Sequence, residues 1–262
     1  MILQDIINII ESVAPLSYQE TWDNSGLQVG DRNAEVHAAL LTVDVTESVV
    51  DEAVEKHCDL IISHHPLLFH GLKHITGNTP QERCVVKAIR NNIAIYSSHT
   101  SMDAYLHGVS GKIADKISVI NYKILCPTND ENVGLGVIGN LKNPMKSEDF
   151  IRFVQKIFNC SLRYIKPPTE QINTVAICGG AGAEFIRQAI DQNADIFITA
   201  DMKYHEMQTA QGQIGIIDLD HWTSEHFTRE IFDELLKQHI ATYIAETDTT
   251  PIKWLIKEDI NL

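Results

Sequence analysis

Apolar residues recur at two periods along this chain, and the alternation between them outlines its elements. Leu3, Ile6, Ile7, Ile10 and Val13 keep the 3.6-residue spacing of one helix face, and Pro15 closes that helix. The polar stretch Trp22-Asp23-Asn24-Ser25-Gly26 reads as a turn into a short strand, Leu27 to Val29. Residues 38–43 (AALLTV) are a continuous apolar run suited to a buried strand. Residues 47–57 alternate with helical period behind Thr46, and 59–63 (DLIIS) form the next strand. Thr79-Pro80-Gln81-Glu82 supplies an N-cap, a proline at the first helical position and a capping-box glutamate, predicting a helix over 80–91. A strand at 93–97 (IAIYS) follows it.

The second half repeats the theme: strand 173–178, a glycine turn, helix 183–192, strand 195–199, helix 203–211, strand 214–219 and helix 223–238. Between the halves, residues 118–170 carry a strand signal at 133–138, a helix at 148–158 and a strand at 161–165, expected to complete sheet edges. The class is α/β. AVEKHCDLIISHH (53–65) aligns without gaps on AIDQNADIFITAD (189–201), with His65 opposite Asp201, and HTSMD (99–103) matches HWTSE (221–225). Short αβ segments often look alike by chance. If the duplication is real, two pseudo-equivalent halves with mixed sheets, residues 1–126 and 127–262, pack as one unit with their strand ends converging on one site.

Charge narrows the partners. With 21 basic and 35 acidic residues the chain carries −14, a field that repels phosphate backbones and anionic membrane surfaces. Nucleic-acid binding is disfavoured, and a small anionic substrate requires a local positive centre such as a metal. The five cysteines fall at wide spacings without a CxxC pair, which disfavours both a thiolate zinc site and a disulfide framework. The first helix lacks a basic leader region, and no run of about 18 apolar residues offers a membrane span. A cytoplasmic protein is expected.

Twelve histidines are many for 262 residues, and they cluster: His57, His64, His65, His70 and His74; His99 and His107; His205, His221 and His226. His64 and His65 end the apolar strand 59–63, where open α/β sheets place their ligand crevices. As mere core residues, two adjacent imidazoles would each need satisfied ring nitrogens. Asp103 and Glu225 follow two further strands, and His221 shares a helix face with Glu225 if that helix begins by residue 221. Imidazole plus carboxylate without thiolate suits zinc, iron, manganese or cobalt. Five ligands are too many for one catalytic ion that keeps an open position, so two divalent transition-metal ions fit better. Such a pair polarises an anionic substrate and activates water near neutral pH.

His99 serves equally as a partner orienting a ligand or as a catalytic acid–base group; the catalytic role is the one carried forward. Gly179, Gly180 and Gly182 do not complete GxGxxG, since Phe185 takes the last position, and read as a helix-entry turn rather than a phosphate cradle. Lys203, Tyr204 and His205 are placed to face the crevice or to be packed or exposed without a role.

SHHPLLF (63–69), SHTSMDAYLHGV (98–109), KYHE (203–206) and DHWTSEHF (220–227), preceded by WDNSGLQVG (22–30), resemble the GTP cyclohydrolase I type 2 homologue family of dinuclear-metal hexameric proteins. The likeness spans nearly the whole chain. It implies His64, His65, Asp103, His221 and Glu225 as metal ligands, and a toroidal homohexamer whose metal sites face an internal cavity. Some members carry an inserted ferredoxin-like domain; here Cys126-Pro127 runs within a few residues into the strand at 133, so the short form is expected. AYLHGV after Asp103, and Trp222, depart from the commoner residues there and change the expected pocket shape, not the ligands. Two functions follow: a metal-dependent hydrolase of a nucleotide-like or phosphorylated small molecule, or a non-catalytic hexameric scaffold that handles metal.

Overall fold

A computed structural model describes residues 1–253; the last nine residues of the second half, 254–262, lie outside the described part. In chain order the elements are α1 (Leu3–Glu11), β1 (Gly26–Val29), β2 (Ala38–Thr42), α2 (Glu47–Glu55), β3 (Leu60–Ser63), α3 (Pro80–Arg90) and β4 (Ala94–Ser97). Then come α4 (Thr100–Asp103), α5 (Val109–Lys116), β5 (Val119–Pro127), β6 (Gly134–Lys146), α6 (Ser147–Phe158), β7 (Arg163–Ile165) and β8 (Gln171–Ala181). The chain continues through α7 (Ile186–Asp191), β9 (Ile196–Ala200), α8 (Tyr204–Ala210), β10 (Gly215–Leu219), α9 (His221–Glu225), α10 (Thr228–Leu236) and β11 (Ala241–Ile244).

Two mixed sheets result. The first runs β1-β4-β3-β2-β11 and the second β5-β6-β8-β9-β10-β7. In the first, β2, β3, β4 and β11 are parallel and β1 is antiparallel to β4. In the second, β8, β9 and β10 are parallel, with β6 and β7 antiparallel on either side. The order β1-β4-β3-β2 is thus matched by β7-β10-β9-β8. The match extends to single bonds: Asp59 Oδ2 accepts from the amides of His37 (2.7 Å) and Ala38 (3.3 Å), as Asp195 Oδ2 does from Asn173 and Thr174 (2.8 Å each). His57 and Asn193, at the two helix ends, both turn left-handed, at φ 53 and 57°. The likeness of 53–65 to 189–201 is therefore a structural repeat.

The cores explain why these sequences form layers. Leu3, Ile6, Ile7 and Ile10 of α1 join Phe232 and Leu236 of α10 over Leu41, Leu60, Ile62 and Tyr96 on one face of the first sheet. Val49, Val50 and Ala53 of α2 and Cys84, Val85 and Ala88 of α3 cover Leu40, Ile61 and Ile95 on the other. The second sheet is covered by Ile113 of α5 and Phe150 and Val154 of α6 on one face, and by Ile186 and Ala189 of α7 with Ala210 of α8 on the other. Elements cross over between the halves: α5 covers the second sheet, while α10 and β11 complete the first. The division at 126 and 127 falls at the end of β5, whose partner β6 follows it.

Several local expectations are corrected. Glu82 does not close a capping box; its carboxylate accepts from the amides of Thr76 (2.8 Å) and Asn78 (3.1 Å), while Thr79 caps α3. The single helix expected at 223–238 begins earlier, at His221, and breaks after Glu225. Asp220 caps α9 by accepting from Thr223 N (3.1 Å), and the Thr228 hydroxyl donates to the Glu225 carbonyl (2.6 Å) at the break. Gly179 and Gly180 are not a helix-entry turn but the last part of β8.

Candidate metal centre

The two sheets meet at the carboxyl ends of their parallel strands, and each strand end delivers one or two polar side chains. Paired registers place the ends of β3 and β4 side by side, Ser63 opposite Ser97, and those of β9 and β10 likewise, Ala200 opposite Leu219. His64 and His65 follow β3, His99 follows β4 by two residues, and His221 follows β10 by two. One turn of α4 then carries Asp103, and one turn of α9 carries Glu225, four residues beyond His99 and His221 respectively.

These side chains converge. His64 Nε2 lies 3.6 Å from Asp103 Oδ1 and 3.6 Å from Glu225 Oε1. Glu225 Oε2 lies 2.9 Å from His65 Nε2 and 3.1 Å from His221 Nε2, and those two nitrogens are 3.3 Å apart. Glu225 therefore spans the cluster, one oxygen on each side. His65, His221 and Glu225 form a group able to hold a metal ion, and His64, His65 and His99 form another, each with its ligand atoms within 4.8 Å. No cysteine is in either group.

Every imidazole is oriented from behind. His64 Nδ1 meets the Ser98 carbonyl at 3.1 Å, His65 Nδ1 meets Asp44 at 2.7 Å, His221 Nδ1 meets Asp201 at 2.7 Å, and His99 Nδ1 meets Asp23 at 2.8 Å. With an acceptor behind each ring, Nδ1 keeps its proton, and Nε2 of His64, His65 and His221 is the nitrogen that faces the cluster. Sequence reasoning gave no role to Asp23 or Asp44. Their signals were the WDNSG turn and an aspartate two residues past β2, and Asp201 stood out only as the partner of His65 in the repeat.

The interior is polar and unsatisfied. His64 Nε2 and Asp103 Oδ1 are buried without a hydrogen bond, a costly state unless a further group belongs between them. Burial pushes the Asp103 carboxyl up. Burial also opposes charge on Glu225, but His64 and contacts with His221 and His65 hold it well below the usual carboxylate range. Burial likewise opposes charge on His65, yet bonds to Asp44 and Glu225 push it up to about 10, and Glu225 pushes His221 up to about 9. Donors of this kind, imidazole nitrogens and carboxylate oxygens held by outer partners, fit a divalent transition metal.

Gly180 shapes the wall. It has φ +66°, and a Cβ there would stand 2.3 Å from Glu225 Oε1, so only glycine lets the carboxylate lie against β8. Other histidines stay apart. His205 approaches Gln208 on its own helix and Tyr204 is exposed. His107 pairs with Tyr122, and His226 stacks on Trp222. Trp222 itself donates to Thr249, whose hydroxyl donates to Asp44 (2.8 Å), so this residue braces the arm behind His65.

Relatives share this architecture. A profile of the Duf34/NIF3 (NGG1p interacting factor 3) family matches residues 1–252. A GTP cyclohydrolase 1 type 2 homolog of Clostridium acetobutylicum is 35% identical over 85% of this chain and 85% of that protein. One of Campylobacter jejuni is 31% identical over 97% and 100%. Among solved structures, a hypothetical protein of Staphylococcus aureus superposes with TM-score 0.88 at 26% identity, covering 97% of this chain and 99% of that one. Whole-chain similarity in sequence and fold shows the family: the chain belongs to Duf34/NIF3, many of whose members are named GTP cyclohydrolase 1 type 2 homologs.

Proposed function

We propose that this chain holds two divalent transition-metal ions, zinc, iron, manganese or cobalt, and hydrolyses a nucleotide-like or other phosphorylated small molecule. The observation that carries the reading is that His64 Nε2 and Asp103 Oδ1 are buried without hydrogen bonds beside Glu225, whose second oxygen lies between His65 and His221. His64, His65, Asp103, His221 and Glu225 would hold the ions. Two such ions, when bound, polarise an anionic substrate and activate water near neutral pH.

The remaining steps belong to the chain. Asp44, Asp201 and the Ser98 carbonyl hold Nδ1 of His65, His221 and His64, so each ring already presents Nε2 to the cluster. His99, with Nδ1 held by Asp23, keeps Nε2 free to move a proton to or from the reacting molecule. With a net charge of −14 the mean field disfavours anions, and a cation-loaded cage would offset it locally.

Elemental analysis of protein purified without chelator should give two metals per chain, and Asp103→Ala should lower that sharply. The loaded protein is then assayed against a panel of phosphoesters and nucleotides headed by GTP, in view of the relatives' names. Turnover of a panel member supports the hydrolase. Full loading with no turnover of any member would replace it by a metal-handling scaffold. A cytoplasmic homohexamer completes the reading. Among the described residues no helix is long and apolar enough to cross a membrane, and light scattering giving a monomer mass with metal present would overturn the assembly.

A further inference from the structure

Just outside the cage two large aromatic side chains face solvent. Trp22 is 57% exposed and Phe69 is 40% exposed, although rings of this size favour burial. Their centroids lie 5.9 Å apart with the planes at 49°, an open corner rather than a closed slot. His99 stands edge-on to both, at 6.1 Å from Trp22 and 6.3 Å from Phe69. On its other side His99 is 5.3 Å from His64 and 5.4 Å from His65. One imidazole therefore separates the aromatic corner from the metal ligands.

The loops beneath the corner are cross-linked by hydrogen bonds. Asp23, next to Trp22, accepts from His99 Nδ1, from the Thr100 amide (3.1 Å) and hydroxyl (2.6 Å), and from Ser25 Oγ (2.8 Å). Asn24 Nδ2 donates to the Leu68 carbonyl (2.6 Å), and the Leu68 amide donates to Gln28 Oε1 (3.2 Å). The backbones carrying Trp22 and Phe69 are thus tied to each other and to His99. A ligand stacking there orders little that is not already ordered, which is how exposed aromatic surface becomes affinity.

Resting on the functional reading above, we propose that Trp22 and Phe69 are a stacking site for a flat heteroaromatic ring, carried by the same small molecule whose anionic group reaches the cage. The ring lies on the open face of Trp22 with its edge toward Phe69. Stacking is uncharged and so is indifferent to the chain's acidic field, whereas the anion depends on the cage. The substrate class narrows to a planar heterocycle joined to a phosphate or similar anion, with His99 beside the linkage between them.

Three probes test this on zinc-loaded protein by calorimetry: inorganic phosphate, ribose 5-phosphate and GMP. GMP should bind about tenfold more tightly than ribose 5-phosphate, the scale of one base on one aromatic ring. Trp22→Ala should bring the two within about twofold, with metal content and phosphate affinity unchanged, and Trp22→Phe should fall between. Equal affinity of native protein for GMP and ribose 5-phosphate, with phosphate bound, would overturn the stacking site alone. Failure of all three to bind would overturn the anion-binding cage and the stacking site with it. Light scattering of Trp22→Ala should give the native mass; dissociation would assign the rings to contact between copies of the chain and overturn the proposal.

Discussion

Asp23 Oδ1 lies 2.8 Å from His99 Nδ1, a bond between residues 76 positions apart that fixes which nitrogen of the ring faces the cage. The carboxylate is fully buried, a state that raises its pKa, yet bonds from His99, Thr100 and Ser25 hold it well below its usual range. An ionised buried aspartate behind an imidazole holds one tautomer and one ring orientation.

His99→Ala is therefore expected to keep its metals while losing turnover, by about 10²- to 10⁴-fold if the ring moves a proton. Glu225→Gln should lose metal as well, because a neutral amide does not balance two cations. Inductively coupled plasma analysis beside single-turnover rates separates the two effects. Because His99 also forms a ligand group with His64 and His65, loss of metal from His99→Ala as complete as from Glu225→Gln would move it into the coordination sphere.

How much of this was legible follows from physical pattern. The buried parallel strands are uninterrupted apolar runs, so β2, β3, β4, β9 and β10 stood out, and with them the polar residues at their ends. Edge strands do not read this way. In β11, Ala241, Tyr243 and Ile244 are exposed, leaving no face to alternate against. In β5 the left-handed Asn121 and a shift of register between Ile120 and Lys123 break the period. Asp44 and Asp23 were invisible as ring partners because each meets its histidine through tertiary packing, across 21 and 76 residues. Asp201, which meets His221 across 20 residues, stood out in the sequence only as the position opposite His65 in the repeat.

Gly180→Ala and Gly212→Ala share a backbone cost but differ in consequence. Both glycines have positive φ, +66° and +78°, so each alanine should cost about 1–2 kcal/mol. A Cβ at 212 meets nothing within 4 Å, whereas at 180 it displaces Glu225 Oε1. Thermal melts should show both variants destabilised, and metal analysis should show loss only in Gly180→Ala. Equal metal content in the two would mean that Glu225 adjusts without leaving the cage.

Asp44→Asn should weaken metal binding by about 10- to 100-fold, the usual effect of losing a carboxylate behind a ligating imidazole. Asp44 accepts from both His65 and Thr249, and burial, which raises its pKa, is outweighed by those bonds. Thr249→Val removes only the second bond and should cost less. Competition with a fluorescent zinc chelator ranks the variants; a larger effect from Thr249→Val would place the control in the C-terminal arm rather than in the His65 tautomer.

Metal entry should expel protons. His65, raised to about 10, and His221, raised to about 9, hold protons in the metal-free cage at neutral pH, and a ligating nitrogen must give its proton up. Both values lie above the value near 6.5 of an unfolded histidine. The protonated pairs therefore stabilise the metal-free fold fully below about pH 6.5, and this contribution is lost as pH rises through 9 to 10. Metal affinity has the opposite slope, rising over the same interval as the competing protons leave. Calorimetric titration of zinc at pH 7.5, in two buffers of different ionisation enthalpy, should report about two protons released per chain. His221→Ala should remove close to one of them. Heats independent of the buffer would show that these rings are already neutral and that the carboxylates, not the imidazoles, carry the protons of the metal-free cage.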